Sequence, residues 1–347
     1  MTSVVTVFFP LDEALQLGGH SWSPATVGQA LRLGVEIASY RRAAAAFSDL
    51  THVPMAKSTL QQLVQEYGQV LVSQEAAEAE AMVRVPSKEE EVVWRQVPEP
   101  DSEIMNVSSD GVLIHLRDEG WKEVKTVAIS AVEPVVNDST GEVEVQLTRH
   151  SYRAGLWEAA TCANHLWAEA ERRGVAKAKL VVSVNDGAAW IWAMIFMCFA
   201  RCVQILDWWH AVQYLWVIAA PALGQGTPAA ADWVKQQKRL LAQSNLRQVL
   251  HNVRHLYPRG QPVPEAVVKA VLYLFRHRWR MRYREFRQAG CPIGSGTVES
   301  ACKVVVQQRM KQAGMRWSRT GADAMLALRC ALLSERWHPI LADGAPP

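Results

Sequence analysis

The chain has 347 residues, of which 49% are hydrophobic and 20% charged, with a formal net charge of +3. Such a chain can bury a sizeable core in two or three domains, and its composition excludes a disordered, collagenous or disulfide-stapled protein. The small net charge leaves the partner open, so a case for nucleic acid must come from local clusters.

The opening MTSVVTVFFPLDEALQLGG has no basic n-region and soon meets Asp12 and Glu13, so it does not read as a signal peptide. Six cysteines without framework spacing point to a reducing, cytoplasmic setting. Residues 25–50 have apolar positions at helical spacing, HVP at 52–54 interrupts them, and 56–83 resumes the pattern. Two helices across a short break, with Ser58 and Thr59 opening the second, fit a DNA-binding helix-turn-helix and equally an ordinary helical hairpin. This helical N-terminal region, 1–83, gives way to a linker over 84–103 that carries three prolines and many charges.

The pattern then changes to strands. IMNVSSDGVLIHL (104–116), WKEVKTVAISAVEPVV (121–136) and EVEVQLTRHSY (142–152) read as a meander, with NDSTG as the second turn. A helix over 156–174, a strand KLVVSVND (179–186), an apolar helix AAWIWAMIFMCFA (188–200) and a strand CVQILDW (202–208) follow. The apolar helix is shorter than the ~20 residues of a membrane span and reads as a buried helix. The order β-β-β-α-β-α-β suggests an α/β fold with a mixed sheet flanked by helices. Residues 104–211 form the first part of this core, 212–290 an all-helical insertion, and 291–347 the helices that return to the core.

Three acids fall at telling places. Asp110 lies within the first strand and Asp186 ends the fourth, each followed by glycine, and Glu299 opens a helix after the loop CPIGSG. Strand carboxyl ends are where α/β sheets place their sites. Converging carboxylates repel unless a cation lies between them, and hard oxygen donors suit Mg²⁺ or Mn²⁺. Two such ions serve phosphodiester cleavage. Taken singly, an Asp-Gly pair is more often a turn and a first-turn Glu a partner of the helix dipole. Asp207 and His210, in D-W-W-H, could serve the same site, or be an N-cap and a helical histidine. Cys198 and Cys202 read as buried thiols rather than zinc ligands, because no second close pair completes a site.

The basic run RHRWRMRYREFR interleaves Arg276, Arg278, Arg280, Arg282, Arg284 and Arg287 with aromatics, and Lys303, Arg309, Lys311 and Arg316 follow Glu299. Such runs are usually solvated faces, but two of them bracketing an acidic cluster suggest a nucleic-acid groove.

The stretch PIGSGTVESACKVVVQQRMKQAGMRWS with GADAMLALRCALLSERW resembles the C-terminal block of bacterial insertion-sequence transposases related to the Mutator-like group. NDGAAWIW with ILDWWHAVQYL resembles the middle block of that group, SSDGVLIHLRDEGWKEVKTVAI its first catalytic block, and FFPLDEALQLGGHSWSP its upstream region. The resemblance implies a DDE transposase with an RNase H-like core, in which Asp110, Asp186 and Glu299 are the catalytic acids and ligands of two Mg²⁺ or Mn²⁺ ions. It implies Asp207 and His210 as active-site neighbours. The partners expected are double-stranded DNA, at element ends and target, and further copies of the chain on DNA; the place is the nucleoid and not a membrane. The chain begins close to the FFPLDE block, which suggests a shortened copy. A metal-dependent nuclease of the same fold and a catalytically silent DNA-binding regulator stay open as alternatives.

Overall fold

The structure is a computed structural model that describes residues 22–84, 96–136, 143–294 and 296–337. The block at 8–24 falls mostly outside these residues, as do part of the expected linker, the turn at 137–141 and Ser295 of the glycine-flanked loop.

Five strands make one mixed sheet in the order β3-β2-β1-β4-β5. They are β1 (Ile104–Leu116), β2 (Gly120–Val136), β3 (Val143–Gly155), β4 (Leu180–Asn185) and β5 (Val203–Leu206). The meander β1-β2-β3 is antiparallel, while β4 lies parallel to β1 and β5 parallel to β4. Strand period places alternate side chains on opposite faces. Met105 and Val107 of β1, with Val127, Ile129 and Ala131 of β2, pack against α4 (Ala159–Arg172) and α5 (Ala189–Cys198), residue ranges that follow β3 and β4. Val112, Ile114 and Leu116 of β1, with Val124 and Ala128 of β2, face the other way.

That second face is covered by the N-terminal helices α1 (Pro24–Glu36), α2 (Tyr40–Thr51) and α3 (Lys57–Val83) together with the last helix, α13 (Arg319–Leu333). The helices expected to stand apart as region 1–83 therefore share a core with the C-terminal helix. The α3–α13 contact is close: a Cβ on Gly68 would lie 2.5 Å from Cβ of Ala324. Behind it, buried Arg153 of β3 pairs with Glu75 and Glu78 of α3 and Glu169 of α4. The single helix expected over 25–50 is two helices. Ile37 and Ser39 are extended, and Ser39 stands as N-cap of the next helix, a position serine favours over a helix interior.

The stretch between β5 and the CPIGSG loop is helical: α6 (Trp208–Leu223), α7 (Pro228–Ala242), α8 (Leu246–Leu256), α9 (Glu265–Arg276) and α10 (Tyr283–Gln288). Its core includes Val182, Val184, Ile205 and Leu206 of the parallel strands, so it grows directly from the β4–β5 edge. Helix α5 is not buried all round. Ile191, Met194 and Ile195 lie under the sheet, while Phe196 and Met197 are 66% and 67% exposed. Among the described residues no helix is long and apolar enough to cross a membrane.

Candidate active site

Asp110 and Asp186 are neighbours because one buried asparagine joins their strands. The regular β1–β4 pairing runs only from Ile104–Leu180 to Asn106–Val182. Beyond it, the Ser109 backbone N–H donates to Asn185 Oδ1 at 2.8 Å, and Asn185 Nδ2 donates to Ser183 Oγ at 2.7 Å. Asn185 and Ser109 are both buried. The next residue on each strand is an acid, so this clip sets Asp110 beside Asp186.

Each aspartate is oriented by local N–H groups. Gly111 N–H donates to Asp110 Oδ1 at 2.7 Å, and Ala188 N–H donates to Asp186 Oδ1 at 3.0 Å. The Tyr273 hydroxyl of α9 donates to the Asp186 carbonyl at 2.6 Å, and its ring stacks on Tyr214 with centroids 3.9 Å apart. Gly187 is required here. Its φ is +97°, and a Cβ would lie 2.1 Å from the Tyr273 hydroxyl oxygen.

Glu299 sits on the short helix α11 (Gly296–Ala301), which packs against β1 and β2. The chain continues into a π-helical turn, Cys302–Gln307, and a short helix, α12 (Gln308–Met310). π-Turns inside helices often mark functional positions. The buried Cys302 thiol lies close to the Asp110 carboxyl and to Thr126, the residue opposite Asp110 in the β1–β2 register. Cys302 thus docks the helix of Glu299 onto the strand of Asp110. Its thiol is pushed well above the ordinary range, by burial first and then by Asp110, so it stays protonated. Burial raises the Asp110 pKa, the charges of Asp186 and Glu299 raise it further, and the Gly111 N–H and Cys302 oppose them. Two of the acids singled out in the sequence, Asp186 and Glu299, therefore both act on the third, Asp110, although Glu299 is 189 residues further along the chain (299 − 110). Among the described residues, however, no three His, Cys, Asp or Glu side chains form a ready-made metal cage.

Asp207 is wholly buried and caps α6, accepting from the His210 backbone N–H at 2.7 Å. Its own N–H donates to the Asn185 carbonyl at 2.9 Å, and the Trp208 N–H donates to the Ile293 carbonyl at 2.9 Å. The D-W-W-H element thereby ties the end of β4 to the loop that leads to Glu299. What the structure uses of His210 in this tie is its backbone. Cys198 and Cys202 have thiols pushed up by burial to about 11 and about 12, which fits inert thiols.

The basic residues divide into two groups. Arg280 donates to Gln204 Oε1 through Nε and Nη2 and lies over the Trp192 ring, so it fixes the insertion to β5. Arg309 is 1% exposed and donates to the carbonyls of Gly34 and Ala38. Neither presents an open fork to a duplex, which corrects their expected place in a DNA-binding surface. Arg276, Arg278, Arg282, Arg284, Arg287, Lys303, Lys311 and Arg316 are exposed. Arg287 lies over the Trp208 ring and lines a cavity of about 770 Å³ with Trp209, Ile293, Gly294 and Gly296.

Asn185, Cys302 and Tyr273 are site residues that the sequence did not single out. A polar residue ending the apolar run LVVSV, and a cysteine three residues after Glu299, were the available signals. No curated protein matches the chain. A family profile matches residues 5–336, nearly its whole length, and the protein belongs to the uncharacterised protein family UPF0236.

Proposed function

We propose that the protein is a DNA transposase that cleaves phosphodiesters at element ends and joins the 3′-hydroxyls to target DNA, on an RNase H-like core. The observation that supports this reading is that two sequence-distant acids, Asp186 and Glu299, both act on the charge of Asp110. Asp110 and Asp186 directly follow the two residues joined by the Ser109–Asn185 hydrogen bond. The sheet order, with an antiparallel meander and two parallel strands on its far side, supports the core assignment.

The donor set fits a hard divalent cation such as Mg²⁺ or Mn²⁺. It consists of carboxylates, and the neighbouring thiol is held protonated. Mg²⁺ sites commonly take one or two carboxylates and complete their shell with substrate phosphate, so a full protein cage is not required. Asp110, Asp186 and Glu299 are the residues that would hold such ions. Divalent ions there supply Lewis-acid stabilisation of the charge that builds on a phosphate under attack. The chain itself supplies position and charge. Asp110 and Asp186 are fixed by N–H groups, the Trp208 N–H holds the loop before Glu299 at the Ile293 carbonyl, and Arg287 lines a cavity on that loop's flank. Arg287, Lys303 and the exposed arginines of 276–284 supply a surface for the phosphate backbone.

The test is an Mn²⁺-dependent assay with labelled element-end DNA and a target plasmid. Joined products are expected from the wild type. Asp110→Asn, Asp186→Asn and Glu299→Gln should each abolish cleavage and leave DNA affinity within about threefold, since a phosphate surface is read separately from the reacting centre. Cleavage without joining would select the nuclease, and DNA binding without cleavage the silent regulator.

A further inference from the structure

A second cavity lies where the N-terminal helices meet the end of β1 and the start of α13. Its volume is about 230 Å³, and its lining includes Lys57, Arg117, Arg309 and Arg316 and no acidic residue. None of these four cations forms an ion pair with a carboxylate among the described residues. Arg309 is the deepest. Its guanidinium is held between the rings of Tyr40 and Trp317, at 4.6 and 5.3 Å from their centroids. Nε donates to the Gly34 carbonyl at 3.0 Å and Nη1 to the Ala38 carbonyl at 3.3 Å, while the buried Nη2 has no hydrogen-bond partner.

The charge is compounded from behind. Arg329, also buried, spends its donors on the carbonyls of Val35, Val304 and Val305, and burial together with Arg309 pushes its pKa down to about 10. Two buried guanidiniums thus spend their donors on carbonyls, and among the described carboxylates only Glu36 acts against the Arg329 charge, an arrangement that is costly until a further anion joins it. The first turns of α2 and α3 open on the same cavity at Ser39 and Lys57, and neither has a side-chain cap. Uncapped N–H groups at a helix start favour an anion.

We propose that this cavity is a phosphate-binding site, separate from the carboxylate site and occupied by a phosphate monoester or diester group. An anion there joins elements that are distant in sequence. Arg117 follows β1 directly, its N–H donates to the Trp317 carbonyl at 2.9 Å, and Trp317 N–H donates to the His115 carbonyl at 3.0 Å. Arg117 lies seven residues beyond Asp110 on the same extended segment (117 − 110), roughly 20 Å away at strand rise. The site does not depend on the carboxylates being catalytic.

Inorganic phosphate titrated calorimetrically into the full chain in chloride buffer tests the site. One saturable binding event is expected. Arg316→Gln and Lys57→Gln, both at exposed positions, should each weaken it roughly tenfold, because a charge-assisted hydrogen bond is lost. Gln61→Glu, which adds a carboxylate to the lining, should abolish it and leave circular dichroism unchanged. Absence of saturable binding, or binding equal to wild type in all three variants, overturns the proposal. A competing DNA duplex identifies the source. Displacement of phosphate by the duplex, with a salt slope that falls in Arg316→Gln, assigns the site to a nucleic-acid backbone. Phosphate binding that the duplex leaves untouched assigns it to a free phosphate or small phosphate ester.

Discussion

Replacing Asn185 by alanine removes the side chain that holds β1 to β4 beyond their regular pairing. The Ser109 N–H, buried and bonded to Asn185 Oδ1 at 2.8 Å, loses its acceptor. A buried donor left unsatisfied costs about 1–3 kcal/mol, and loss of the Asn185–Ser183 bond adds about 1 kcal/mol. The total of about 2–4 kcal/mol is a large share of a typical stability without exceeding it. With an unfolding entropy of ~2.1 cal/mol/K per residue, a chain this long should melt about 3–6 °C lower. Differential scanning calorimetry measures this directly. Asn185→Asp is the control, because its carboxylate still accepts from Ser109. The consequence for the site is larger than for the fold, since Asp110 and Asp186 lose their common support, and Mn²⁺ affinity should fall at least tenfold. A melting shift below about 1 °C, with unchanged Mn²⁺ binding, would refute the clip as the device that pairs the two acids.

Three other outcomes follow from the same geometry. Gly187→Ala meets the Tyr273 hydroxyl at 2.1 Å and a φ of +97°, so it should destabilise by about 2–4 kcal/mol in urea unfolding. Tyr273→Phe in the same chain should recover part of that loss, and strict additivity would argue against the contact. Asp110 has a folded pKa raised by burial, so its contribution is favourable at low pH and is lost as pH rises through that raised value. Asp110→Asn should therefore melt above the wild type at neutral pH and below pH 4 match it; a lower neutral melting point would contradict the assigned strain. Glu169 is wholly buried; burial opposes its ionisation, but Arg336, Arg153 and Arg172 overcome this and hold its pKa at about 2. Its stabilisation is present above its ordinary value of 4.5 and lost as pH falls towards 2. Glu169→Gln should cost about 3–5 kcal/mol at pH 7 and flatten that acid limb of the pH–stability curve; an unchanged limb would count against the ion network.

The strands were legible because their chemistry is local. IMNVSSDGVLIHL coincides with β1, and a hydrophobic run ending in acid located Asp186 at the end of β4. The site's supports were not legible, because each depends on a partner far along the chain. Asn185 is 76 residues from Ser109, and Tyr273 is 87 from Asp186. Arg309 looked like an open contact on a DNA-facing surface for the same reason: its acceptor Gly34 is 275 residues away. A charged run reports composition, but only packing decides which guanidinium spends its donors on carbonyls. The Pro- and charge-rich stretch at 84–103 marked a change of segment. It carried no information that α3 would dock on α13, which the small residues Gly68 and Ala324 permit.

The most direct measurement is Mn²⁺ binding by electron paramagnetic resonance, on the wild-type chain and on Asp110→Asn, Asp186→Asn and Glu299→Gln, with and without element-end DNA. The expected result is a wild-type site that tightens with DNA and is weakened at least tenfold by each of the three substitutions. Binding that is indifferent to Glu299→Gln in the presence of DNA would contradict the claim that the third acid belongs to the site.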